Sequence, residues 1–310
     1  MWLQRLTHYL FKNPWQALAV VFVTTFVPVI GVFGILFAAL VTLRKGALAG
    51  LALMLAATLP YLGSLYFTEH HEAAIPFMVW AAVGVAMVSN VLTYGSAVML
   101  QRQAGWGTIL QSVALLGVLL ISVVHLAYPN VSEWWLSTLT TYYTEATAAV
   151  SGVVSGAAAP SDVQLDTLNV SKYYATGMMV AAVLLNAIMQ LIVARWWQSA
   201  VFQPGILRRE LHAIRLSKLA SVLFLLSLGL SYWGNSVVLD IMPVLYILFS
   251  AAGLSVIHYM LSLVQASARL FWLSLVYVIL ILALPTSLVL LAMVALLDTW
   301  FDIRTRFGKV

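Results

Sequence analysis

From Trp15 to Phe301 the chain is a succession of long apolar stretches separated by short polar breaks. The stretches fall at about 15–43, 47–67, 73–99, 107–128, 174–197, 217–235, 238–264 and 268–301. Most reach the roughly 20 residues that a helix needs to cross a bilayer. Backbone groups in lipid must find partners within their own element. The pattern therefore predicts an all-α, polytopic transmembrane helix bundle, one integral membrane domain over 1–310 with eight apolar segments.

The first and last segments are interrupted, one by Pro28 with Gly31 and Gly34, the other by Pro285 followed by Thr286 and Ser287. If each is a hairpin of two short helices, there are ten helices and every lysine and arginine except Lys172 falls on one side. If each crossed once, Arg5, Lys12, Lys172, Arg304, Arg306 and Lys309 would be separated from the rest. The positive-inside rule favours the hairpins and places both termini in the cytoplasm of a bacterial cell, with the chain in its inner membrane. Half-segments of about 15 residues rise only about 22 Å, less than a hydrocarbon core of about 30 Å. Such halves must be tilted, membrane-thinning or re-entrant, with protein around them.

Composition agrees with lipid as the main solvent. Hydrophobic residues make up 63% and charged residues 8% of the chain, and mean hydropathy is +1.00. A soluble domain carries roughly a quarter charged residues. The net charge of +5 comes from cations scattered between apolar segments, which argues against a nucleic-acid partner. There is no cysteine, hence no disulfide, thiolate metal site or Cys nucleophile. Residues 1–13 lack the layout of a cleaved signal peptide, and Trp2, Leu6, Tyr9 and Leu10 fall at the spacing of a helix lying in the interface. Residues 129–173 read as one long external loop with Trp134, Trp135, Tyr142 and Tyr143 at the outer interface and a flexible small-residue run after Ala146.

Polar residues inside spans are candidates for a ligand site, and equally for hydrogen bonds between helices. Asn90 with Tyr94, and Asn186 with Gln190, are four residues apart and share a face that can point into the bundle. Ser227, Ser231 and Asn235 form a stripe that suits close packing or a polar lumen. Asp240 and His258 mark the two ends of one face of the seventh segment, where an imidazole could relay protons or bind a neighbouring backbone group. His70 and His71 between Glu69 and Glu72 form a weak metal-ligand set or a solvated turn. Residues 198–216 read as a turn and a basic amphipathic helix, whose Arg208, Arg209 and Arg215 could grip anionic lipid or a cytoplasmic partner. No phosphate loop, nucleophile elbow or metalloprotease motif is present, so neither catalysis nor a cofactor is expected.

Arg195-Trp196-Trp197-Gln198, Pro204-Gly205 and the run from Arg209 to Leu216 resemble the middle signature of the YybS-like family of bacterial multispanning membrane proteins of unknown function. The stretch Leu297–Arg304 is similar to that family's close. The resemblance implies kinship with the S components of energy-coupling-factor transporters, hence a small-molecule binder working with a cytoplasmic ATPase module. The usual S component has six helices, and no binding residue carries over from it. Two readings of function follow. One is a membrane protein that binds or moves a small molecule through the polar faces named above; the other is a scaffold or regulatory subunit that docks a partner.

Overall fold

The structure, a computed structural model, describes residues 2–27, 30–69, 77–151 and 162–307. Pro28, and with it the tip of the first hairpin, lies outside the described residues, as do His70 and His71. Every described element is a helix. In chain order they are α1 (Trp2–Lys12), α2 (Pro14–Thr25), α3 (Val32–Lys45), α4 (Ala47–Glu69), α5 (Phe77–Gln101), α6 (Trp106–Ala127), α7 (Val131–Ser151) and α8 (Asp162–Ser171). There follow α9 (Ala175–Phe202), α10 (Ile206–His212), α11 (Lys218–Ser231), α12 (Ser236–Ser262), α13 (Ala266–Leu282), α14 (Leu284–Phe301) and α15 (Ile303–Phe307). Five helices, α5 from Trp80 onward with α6, α9, α12 and α14, are long and apolar enough to cross a membrane. The eight apolar segments thus become a bundle of ten apolar helices, with the first and last segments each divided in two.

The first division is an antiparallel hairpin. Gly34, at the start of α3, faces Val21 and Thr25 near the end of α2. At the other end, Lys45 Nζ donates to the Phe11 carbonyl at 3.1 Å, beside the start of α2. Most of the half-helix α3 is enclosed: Val32 and Phe33 at its tip are exposed, but Gly34 to Thr42 are all buried. Its neighbours are α2, α4, α5 and α9. Gly50 lets α4 approach so closely that a Cβ there would collide with the Thr42 side chain.

The second division occurs at Ala283, which ends α13 and begins α14. Ser250 Oγ donates to the Leu288 carbonyl at 2.8 Å, and a Cβ on Gly253 would collide with the Leu291 carbonyl. Both contacts have the same offset, so α12 and α14 run parallel and the Ala283 bend lies level with residue 245. That is about 14 Å from the start of α12 at 1.5 Å per residue. The turn therefore stops short of the far end of the bundle.

Two apolar clusters form the interior. The larger joins α5, α6, α9, α11, α12 and α14, with Phe224 stacked on Phe249 at 4.4 Å between ring centres. The smaller joins α2, α3 and α4 to Trp197 of α9. The N-terminal helix α1 docks here rather than lying free, because Trp197 Nε1 donates to Thr7 Oγ1 at 2.9 Å.

Two sequence expectations need correction. Residues 129–173, expected as one long external loop, are largely helical: α7 and α8 occupy most of them, α7 includes Ala146 to Ser151, and 152–161 lie outside the described residues. Thr138, Thr140, Thr141 and Thr147 each return a hydroxyl bond to a preceding carbonyl, which shields polar side chains in a helix too hydrophilic to read as a span. The basic amphipathic helix of 198–216 shrinks to the seven residues of α10, since α9 continues to Phe202.

Because the chain has no cysteine, single cysteines at Arg44, Arg306 and Val170 can be labelled with an impermeant thiol reagent. Positions 44 and 306 should react from one side of the membrane and position 170 from the other. Labelling of 44 and 306 from opposite sides would dismiss one of the hairpins.

Candidate functional site

Among the described residues, most of the polar side chains expected to line a site within the spans are bonded to a neighbouring helix or to their own. Asn90 Nδ2 reaches α4, donating to the Ala57 carbonyl at 3.1 Å and to Thr58 Oγ1 at 3.3 Å. Tyr94 donates its hydroxyl to the Ala47 carbonyl at 3.0 Å. Gln190 Oε1 accepts from Thr93 Oγ1 at 2.6 Å, tying α9 to α5. Asn235 does not extend a stripe of α11; it caps α12, accepting from the backbone N–H groups of Val237 and Val238. Ser227 and Ser231 return to their own helix backbone. Asn186 departs from the expected inward orientation and is exposed on the outer surface of α9. Four residues separate it from Gln190, but the 40° drift of that spacing takes it past the edge of the α5 contact.

The two ends of the α12 stripe have separate partners. Asp240 is 2% exposed, and its Oδ2 lies 2.9 Å from Nε2 of His125, which is 9% exposed at the end of α6. Asp240 Oδ1 accepts from the Gly177 backbone N–H at 2.6 Å, in the first turn of α9, where no intrahelical acceptor exists. A Cβ on Gly177 would collide with the Asp240 carbonyl, so only glycine allows this approach. One carboxylate thereby joins three helices. His125 was legible as an ionisable residue inside an apolar segment and was missed. His258, by contrast, bonds the Leu254 carbonyl through Nδ1 at 2.8 Å and Tyr277 of α13 through Nε2 at 3.2 Å. At the same end of the bundle as Asp240, Lys172 pairs with Glu133 at 2.7 Å.

At the opposite end the connections converge on a polar cleft of about 820 Å³. Arg44, Arg195 and Arg215 line it, with Trp106 and Gln103, Gln111, Gln198 and Gln203. Its one acidic lining residue, Glu210, is already engaged, accepting from Arg195 and, at 3.1 Å, from Trp106 Nε1. Arg44 stacks over the Phe202 ring at 4.7 Å and forms no ion pair among the described residues. Arg215 is shared between the wall and the C-terminal tail, where it pairs with Asp302. Arg195 and Arg215 are thus neutralised by Glu210 and Asp302, and Arg44 is the lining cation without a carboxylate partner among the described residues.

The tail also holds the cleft together from below. Arg304, 5% exposed, donates to the carbonyls of His212 and Ile214. Its Nε stands 3.1 Å from Asp298 Oδ2, an ion pair without hydrogen-bond alignment. Arg208 and Arg209 project from α10 and are exposed.

No protein-family model, curated protein or solved structure matches the chain.

Two predictions follow from these geometries. Replacing Asp240 with Leu should cost about 3–5 kcal/mol, because it leaves the partner groups buried and unpaired. The double variant H125F/D240L should cost clearly less than the sum of the single changes; additivity in thermal unfolding would deny the coupling. At the end of α10, burial, followed by the Arg208 charge, holds the His212 pKa below its ordinary value. The undocked form then takes up a proton first as pH falls below about 6.5, so the packing of α10 is firm above that pH and weakens below it. Hydrogen exchange of 206–212 should rise at pH 5 relative to pH 7.5, and H212Q should remove the difference.

Proposed function

We propose that this is a non-catalytic integral protein of a bacterial cytoplasmic membrane that binds a small anionic molecule from the cytoplasm, in the cleft between α3, α6, α9 and α10. The observation that carries this reading is the convergence of Arg44, Arg195 and Arg215 around a cleft whose only lining carboxylate is already paired. Lysine and arginine gather at this end, which the positive-inside rule assigns to the cytoplasm. The binding site of this reading is not the mid-membrane set inferred from the spans, because Asn90, Tyr94 and Gln190 are engaged between helices.

The likeness to YybS-like proteins supports the same location. Its middle block, Arg195 to Leu216, supplies one wall of the cleft, and its closing block contains Asp298, Asp302 and Arg304, which brace that wall. Kinship with S components would add a cytoplasmic ATPase partner to the reading. A second reading, a scaffold or regulatory subunit, is favoured by the exposed Arg208 and Arg209 on the α10 surface.

Native mass spectrometry of the detergent-purified protein separates the two. Under the first reading an anionic adduct is retained, and R44Q reduces its occupancy about tenfold while R208A/R209A leaves it unchanged. Under the second, R208A/R209A abolishes co-purification of a protein subunit and R44Q has no effect. An adduct unaffected by R44Q would remove the cleft from consideration.

A further inference from the structure

Asn186 occupies an unusual place in the bundle. It lies two residues from the midpoint of α9, the longest helix, so its side chain sits close to the middle of the hydrocarbon layer. It is exposed there and makes no hydrogen bond with any described residue. Lipid tails offer neither donor nor acceptor. Asn90, Thr93 and Gln190, by contrast, each reach a partner inside the bundle. The face around Asn186 is otherwise apolar, formed by Met178, Ala182, Leu185, Met189, Val193 and Trp196, all of them exposed.

We propose that this face of α9 packs against the same face of a second copy of the chain, with the two Asn186 side chains hydrogen-bonded to each other. A carboxamide is both donor and acceptor. A two-fold axis along the membrane normal brings residue 186 of one copy to residue 186 of the other and satisfies both with one reciprocal pair. No charge lies on the stripe to call for a charged partner, and an apolar helix of another protein would leave the amide unbonded. Ala182, one turn away, lets the helices approach closely, as small residues do at membrane helix interfaces. The helix behind the stripe is held on its other sides by α3, α5, α6 and α12, so it presents a fixed surface.

The absence of cysteine makes the test direct. The full-length A182C variant, reconstituted into vesicles and oxidised, should form a disulfide-linked dimer. A cysteine at Leu223, exposed on α11, should give at least tenfold less. In the A182C background, N186L should lower the dimer about tenfold, whereas N186Q should retain most of it. Equal cross-linking in N186L and the parent, or no dimer in A182C, would overturn the proposal. So would a cross-linked species whose mass is not twice that of the chain. If N186L does not fold, the A182C, L223C and N186Q results decide the matter without it.

Discussion

An interrupted helix can lie inside a bilayer only where other protein replaces the water that its loose backbone groups would otherwise bind. That constraint governs this molecule. The half-helix α3 is too short to cross alone, and it is admissible because Gly34 to Thr42 are enclosed on all sides. The enclosure requires α2 folded back along it, α4 drawn in by Gly50, and α5 and α9 closing the remaining sides. Once α9 is fixed there, its two ends define the two polar regions of the protein. Gly177 meets Asp240 at one end, and Arg195 meets Glu210 at the other.

Polar groups within the bundle fall into three kinds. Inward-pointing Asn90, Gln190 and Asp240 bridge helices, buried hydroxyls such as Thr25 and Thr42 return to their own helix, and Asn235 caps α12. The bundle centre is consequently filled by Phe224, Phe249, Leu191 and Ile109, each almost fully buried. Free polar capacity is left at the cation-rich end, where the connecting segments diverge enough to open the cleft.

Much of this was legible in the chain. The apolar segments agree with the helices to within a few residues at most ends, because the pattern records where water stops. The two divisions were legible from Gly31, Gly34 and Pro285 combined with the placement of Arg44, Lys45 and Arg304, since only a hairpin keeps these cations together. What sequence spacing could not supply was rotation about each helix axis. Asn186 and Gln190 have the same spacing as Asn90 and Tyr94, yet one pair splits between interior and surface while the other stays in contact with α4. Pairings across more than a hundred residues, such as His125 with Asp240 or Trp106 with Glu210, depend on how the helices are arranged and leave no local signature.

The burial of α3 also dictates an order of events during synthesis. The chain between residues 32 and 45 is made long before residues 175–202, which close its last side, and Thr7 waits about as long for Trp197. Until α9 has been inserted, the N-terminal hairpin faces lipid along the flank that α9 later covers. Its final seating therefore belongs to the second half of biogenesis, and a chain stopped before α9 would leave its first three helices without a stable resting place.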